Sequence, residues 1–409
     1  MASVFETRLR ALQRRLDTDG VDLAVCAPGS NLTYLTGFDE TPSERHLLLF
    51  VPQTGAGTPT LLAPALYEHQ LEGCPIDDRR LYSDDDDPLA VLRAVVSDLE
   101  SGLDSGPDGA SGLARETATT SETGTPPDGP TVLVDDRMWA MFTQDLRTVL
   151  PTATFGLAST ATEPIRIRKD DAELDALRRA AAIADRVTTE IRSRGADLIG
   201  TTERALAAEI ERLLSAYGGT GTAFETIVAS GPNGARPHHH SGSREICAGD
   251  PIVLDFGTSV DAAIEHGTGR YPSDQTRTIA VGEPASEFES VHAVVREAQA
   301  AAIDAIEPGS TAAAIDRAAR SVIETAGYGD AFVHRTGHGV GLDVHEPPYI
   351  RAGNDRELEP GMVFSVEPGV YLEGEFGVRI EDLVVVTDSG ATRLNTSPRG
   401  WKTDTAECP

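Results

Sequence analysis

Four carboxylates in the C-terminal part of the chain, Asp255, Asp274, Glu367 and Glu381, each stand in or beside a run of apolar residues. An ionised carboxylate in an apolar strand is costly unless it is paired, hydrogen-bonded or bound to a cation. If the four face one another, their repulsion drives protons back onto some of them. Two divalent cations would instead cancel four negative charges, and one imidazole, His338, would complete the set. Taken singly, each feature is weak. A lone Asp in a strand is more often a satisfied structural group, Gly-His-Gly is common, and Glu-Pro-Gly is a turn signal. The combination within one chain is what constrains the fold.

At 409 residues the chain is longer than a single core usually supports, so two domains are expected. Residues 1–100 alternate helical and strand patterns, which suggests an α/β layer. An amphipathic helix is expected at 5–16, strands at 23–26, 47–51 and 60–63, and a helix near 89–99. Residues 101–130 are Gly, Ser, Thr, Pro and acid with almost no large apolar side chain, the composition of a flexible acidic insertion. A strand resumes at 131–134, and 163–169 reads as the crossing between domains. Beyond it the pattern predicts helices at 171–194, 202–216, 287–306 and 311–326. Strands are expected at 226–229, 252–256, 362–367 and 378–386. Helices alternating with antiparallel-looking strands make this second domain α+β.

The formal net charge is −30, with 65 acidic against 35 basic residues, which argues against a nucleic-acid partner. Lys169 and Lys402 are the only lysines, the other basic residues being arginines. That balance suits a high-salt cytoplasm, where salt screens the self-repulsion of an acidic surface. No run of about 18 apolar residues occurs, so no membrane span is expected. Residues 1–15 are polar and lack the apolar core of a secretory signal, so a cytoplasmic location is expected. Cys26, Cys74, Cys247 and Cys408 are scattered and read as free thiols.

The acids and the imidazole occur in a recognisable order. Asp255 lies in I-V-L-D-F-G, Asp274 in S-D-Q-T-R-T, His338 in T-G-H-G-V-G, Glu367 in F-S-V-E-P-G and Glu381 in G-V-R-I-E-D. From about 163 to 394 the chain resembles the pita-bread metallopeptidases, which include methionine aminopeptidases, Xaa-Pro aminopeptidases and Xaa-Pro dipeptidases. The run S-N-L-T-Y-L-T-G-F at 30–38 resembles the opening of the creatinase-like N-terminal domain of the proline-specific branch. The resemblance implies an α+β protein, with a C-terminal pita-bread catalytic domain at 165–400. A smaller α/β creatinase-like N-terminal domain would precede it at 1–160. It implies two divalent metal ions held by Asp255, Asp274, His338, Glu367 and Glu381, with Asp274 and Glu381 bridging. Oxygen ligands with one imidazole suit Mn first, with Co, Fe or Zn as alternatives. Two such ions can activate a water and polarise the scissile carbonyl.

The same resemblance gives Glu367 the role of taking the water's proton. His238 matches the histidine beside the substrate, although His239 and His240 follow it and the match could fall on either. A surface histidine cluster is the plainer reading of that triplet. His345 matches the histidine that contacts the substrate carbonyl or amide nitrogen. Arg379, two positions before Glu381, would fix the bridging carboxylate or meet the substrate. One departure is the spacing of the two aspartates, which are 19 positions apart where the family has about a dozen. The extra residues, within 258–270, are expected to lengthen a hairpin connection, and Asp261 becomes a rival first ligand. The leading expectation is removal of the N-terminal residue from peptides with proline second, in the manner of an Xaa-Pro aminopeptidase. The alternatives are an Xaa-Pro dipeptidase, a hydrolase or lyase of a small amide or osmolyte, and a binding protein without catalysis. A homodimer is expected from the resemblance alone.

Overall fold

The computed structural model describes residues 3–103, 129–264 and 267–403. The chain divides into two compact units, Met1–Arg166 with Ile264–Gly269, and Ile167–Ala263 with Arg270–Pro409. The expected insertion at 101–130 falls almost wholly outside the described residues, between the helix Pro88–Leu103 and the strand Thr131–Val134. No helix among the described residues is long and apolar enough to cross a membrane.

The first unit is built on a six-stranded mixed sheet. Its strand order is Asp78–Tyr82, Thr60–Pro64, Leu48–Pro52, Leu23–Cys26, Thr131–Val134, Thr154–Leu157. The four central strands are apolar on both faces, as strands covered on both sides must be. Leu92, Val95, Val96 and Leu99 of Pro88–Leu103 pack with Val25, Phe50 and Leu62 in one cluster. The helix Val4–Asp19 buries Phe5, Leu9, Leu12 and Leu16 and is capped by Ser3 at one end and left-handed Gly20 at the other. The helix Ser30–Thr36 was not anticipated, because its residues are mostly β-formers and turn-formers. The expected crossing at 163–169 is instead the last turn of the helix Ser159–Arg166 followed by extended chain.

The second unit consists of two antiparallel layers, each backed by a pair of helices. In the first, Gln275–Ala280, Pro251–Phe256 and Ile227–Ser230 lie side by side. Asp171–Ser193 and Glu203–Ala216 bury Val187, Ile191, Leu206 and Ile210 with Leu254, Phe256 and Ile279 of this sheet. A capping box between Asp170 and Glu173 starts the longer helix, a feature worth about 1 kcal/mol. In the second layer the order is Glu346–Ile350, Gly337–Gly339, Val363–Val366, Asp382–Thr387, Gly390–Arg393. Ser286–Asp304 and Ala312–Thr325 supply Phe288, Val295, Ile315 and Ile323 to the core beneath it. The strand expected at 378–386 is broken: Phe376–Arg379 pairs with Gly369–Leu372, and Asp382–Thr387 joins the five-stranded sheet. Ile380 and Glu381 form the break.

Candidate metal centre

Asp255 lies in the middle strand of the three-stranded sheet, opposite Ile227 on one side and Thr276 on the other. Asp274 immediately precedes the neighbouring strand Gln275–Ala280. His338 is the centre of Gly337–Gly339, and Glu367 follows Val363–Val366. Two backbone contacts join these segments. Glu367 N donates to Thr336 O at 2.8 Å, and Glu381 N donates to Thr276 O at 3.0 Å, linking the break in the last strand to the three-stranded sheet. A Cβ on Gly337 would overlap the Ser365 carbonyl, so a side chain there would push the imidazole strand away from the strand leading to Glu367. The result is a cavity of about 550 Å³ lined by all five expected ligands, together with His238, His345 and Arg379.

Ligand atoms of Asp274, His338 and Glu381 lie within 4.8 Å of one another. His338 Nε2 is 3.3 Å from Glu367 Oε1 and 3.6 Å from Asp274 Oδ2. Its Nδ1 is 3.2 Å from the Gly339 carbonyl. With Nδ1–H donating there, the Nε2 lone pair faces the carboxylates. Burial and the neighbouring His345 push the His338 pKa down to about 3, so the ring is a neutral donor at any physiological pH. Asp274 and Glu381 are pushed well above the ordinary carboxylate range, first by burial and then by the other acids. Glu367 is raised to about 7, mainly by burial, with Asp255 adding to it and Arg379 opposing it.

Arg379 is the cation inside this cluster. It donates through Nε to Thr276 Oγ1 at 3.0 Å, through NH1 to the Tyr371 hydroxyl at 2.8 Å, and through NH2 to Asp255 Oδ2 at 2.5 Å. Thr276 Oγ1 in turn donates to Glu381 Oε2 at 2.7 Å. These bonds leave Asp255 Oδ1 and Glu381 Oε1 buried without a partner. A buried acceptor with nothing to accept costs about 1–3 kcal/mol, more when charged. Four acids, one cation and two orphaned oxygens leave a charge deficit that divalent cations fit. The donor set of carboxylates with one imidazole is the hard-to-intermediate kind that holds them.

Arg379 thus grips Asp255 directly and reaches Glu381 only through Thr276, which corrects the expectation that it fixes the bridging Glu381. It is also not on one continuous strand with Glu381, since the break intervenes. The histidine triplet separates cleanly. His239 Nε2 lies 2.8 Å from Glu203 Oε2, and His240 Nδ1 lies 3.0 Å from Glu225 Oε2. His238, exposed at the cavity wall, has no hydrogen-bond partner among the described residues. His345 also stands exposed, its ring edge-on to His338 with centroids 4.1 Å apart. Asp261 is exposed at the end of Thr258–Asp261 and does not line the cavity. The extra residues between the aspartates form that strand and Arg270–Pro272, antiparallel to each other.

Several residues escaped the sequence reading. Glu203, fully buried, accepts from Ser230 N, Asn233 Nδ2 and Gly242 N at 2.8, 2.9 and 3.1 Å, and so organises the loop that carries His238. Lys169 and Glu346 form a buried pair at 2.6 Å next to His345. His334 Nε2 lies 2.8 Å from the Tyr371 hydroxyl, which Arg379 also holds. Behind Glu381, Arg277 donates to its carbonyl at 2.5 Å and to Asp382 Oδ1 at 2.6 Å. The polar pair His334-Arg335 just ahead of T-G-H-G was the available signal for part of this group.

Comparison with known proteins agrees with this geometry. Residues 175–388 match Metallopeptidase family M24, and residues 8–106 match the Creatinase/Prolidase N-terminal domain. A protein named probable dipeptidase PepE from Mycobacterium tuberculosis is 38% identical over 402 residues, covering 97% of this chain and 96% of that one. An Xaa-Pro dipeptidase from Lactobacillus delbrueckii subsp. lactis is 35% identical over 93% of this chain and 95% of its own. The crystal structure of a recombinant prolidase from Thermococcus sibiricus superimposes with a TM-score of 0.83 at 36% identity, covering 98% of this chain and 99% of that one. The fold and its matches define a metallo-exopeptidase of two domains, a creatinase-like N-terminal domain and a pita-bread domain. The chain belongs to metallopeptidase family M24.

Proposed function

We propose that this protein is an Xaa-Pro dipeptidase, a prolidase, whose metal ligands are Asp255, Asp274, His338, Glu367 and Glu381. The sequence alone favours the aminopeptidase variant. The names of the relatives, dipeptidase and prolidase along nearly the whole chain, move the reading to the dipeptide. The observation that carries the proposal is the buried group Asp274, His338 and Glu381 with Asp255 and Glu367 on the same cavity wall.

Divalent cations held there would supply Lewis acidity toward the scissile carbonyl and the attacking water. Glu367 accepts the proton as the water oxygen attacks the carbonyl carbon, and returns it to the proline nitrogen when the C–N bond breaks. Ser365 Oγ, 3.2 Å from Glu367 Oε1, holds that carboxylate in place. His238 and His345, both exposed to the cavity, donate to the charge that develops on the carbonyl oxygen and the departing nitrogen. Arg379 fixes Asp255 and keeps it ionised. Manganese as the resident ion, a cytoplasmic high-salt setting and a homodimer belong to the same reading, supported by composition and by the family resemblance.

The test is hydrolysis of Ala-Pro and Ala-Pro-Ala in manganese and high salt, with Asp274→Asn as the control. The proposal expects Ala-Pro to be the better substrate and the variant to be inactive. A better rate on the tripeptide would return the assignment to aminopeptidase. No cleavage of either by folded, metal-loaded protein would remove proline-specific peptidase activity altogether.

A further inference from the structure

Two guanidinium groups line the metal cavity, and they are in opposite states. Arg379 is buried and spends all three nitrogens on Thr276, Tyr371 and Asp255. Arg335 is half-buried, and its side chain has no hydrogen bond or ion pair among the described residues. Its Cζ lies 4.6 Å from the ring centroid of Tyr349. Tyr349 is directly opposite His338 in the strand pairing, so the stacked guanidinium stands one strand away from the expected metal ligand. Its charge is felt at the site, where it lowers the proton affinity of both His338 and Glu367.

A free guanidinium laid flat on an aromatic ring is pre-organised, with its fork of N–H donors available to a planar anion. The surroundings say which anion. The cavity contains four acidic side chains and the whole chain carries −30, so an incoming carboxylate meets repulsion unless a fixed cation receives it. In an Xaa-Pro dipeptide the C-terminal carboxylate lies a single residue beyond the scissile bond, a span of about 3.3–3.6 Å. In a longer peptide an amide occupies that place, and its neutral hydrogen bond is roughly half as strong.

We propose that Arg335, stacked on Tyr349, receives the C-terminal carboxylate of the dipeptide and thereby sets the enzyme's preference for dipeptides. This rests on the Xaa-Pro dipeptidase reading and adds the residue responsible for peptide length. Nothing else in the cavity wall combines permanent positive charge with unused donors among the described residues.

The experiment compares Ala-Pro with its C-terminal amide, Ala-Pro-NH2, in wild type, Arg335→Ala and Arg335→Lys, with bound manganese measured in each. Wild type is expected to favour the free acid. Arg335→Ala should lose on the order of 10–100-fold in kcat/KM on Ala-Pro, chiefly through KM, and change on the amide by no more than about twofold. Arg335→Lys keeps the charge without the fork and should fall between, which holds the test open if the alanine variant fails to fold. Equal losses on both substrates, or a wild type that prefers the amide, would overturn the role of Arg335 alone. Manganese-loaded wild type inactive on both peptides would overturn the dipeptidase reading, and this inference with it.

Discussion

Two buried groups of charges lie back to back around residues 381 and 382, and they are resolved in opposite ways. On one side Asp382, fully buried, receives Arg277 at 2.6 Å, Arg393 at 3.1 Å and Gln299 at 3.2 Å, so both its oxygens are satisfied. On the other side Glu381 faces Asp274 and Glu367, keeps one oxygen without a partner, and is pushed well above its ordinary pKa by burial and by those acids. Adjacent residues on the same segment thus show a charge the fold has neutralised and a charge it has left open. The first arrangement holds the strands together. The second makes sense when cations complete it.

Replacing an open-side carboxylate should cost function and spare the fold. Asp274→Asn is expected to lower kcat/KM on Ala-Pro by at least about 10³, beyond the 10–100-fold typical of residues one step removed from a metal. Its metal-free melting temperature should be no lower than that of wild type, since a repulsive charge has been removed. Wild-type activity in this variant would erase the contrast. The neutralised side should behave the other way. Arg277→Leu leaves Asp382 buried and under-paired, and should destabilise the protein by about 3–5 kcal/mol in denaturant unfolding, with or without metal. A milder loss, within 1 kcal/mol, would mean the pair is not the anchor described here.

Arg379 spans the two kinds of behaviour, because it is fully bonded but bonds to an expected ligand. Arg379→Met should reduce metal affinity or activity by about 10–100-fold, read by manganese titration. The open cluster should also register in the pH dependence of stability. Carboxylates whose folded pKa is raised bind more protons folded than unfolded, so their destabilising effect grows as pH rises. It begins near the ordinary carboxylate range of about 4 and, for Glu367, is complete above about 7. Metal-free protein should therefore lose melting temperature from pH 5 to 7.5 while added manganese stabilises it increasingly over the same range. A manganese effect independent of pH would contradict raised, titrating ligands. The smallest expected change is Asp170→Ala, which removes a helix cap far from the site and should cost about 1 kcal/mol without altering kcat.

Much of this contrast was legible in the sequence, and the illegible part has a physical cause. Acids in apolar runs stand out against their neighbours, so Asp255, Asp274, Glu367 and Glu381 could be singled out across a span of more than a hundred residues. Helix positions with 3.6-residue periodicity and a capping Thr or Asp, such as Glu203–Ala216 and Asp171–Ser193, were equally readable. The break at Ile380 was not, because V-R-I-E-D-L-V-V-V is a continuous β pattern and the interruption comes from the tertiary contact of Glu381 N with Thr276 O. The strand Asp78–Tyr82 was missed because charged, half-exposed residues give no apolar run. Glu203, Lys169 and Tyr371 were missed because each looks like an ordinary surface residue of its element until its partner, distant in sequence, is known.

The central claim is that the open cluster is a two-cation site. Crystals soaked in manganese and measured at the manganese absorption edge test it directly. The account predicts two anomalous peaks in the cavity, contacted by Asp255, Asp274, His338, Glu367 and Glu381. An empty cavity, or peaks only elsewhere on the protein, would contradict it.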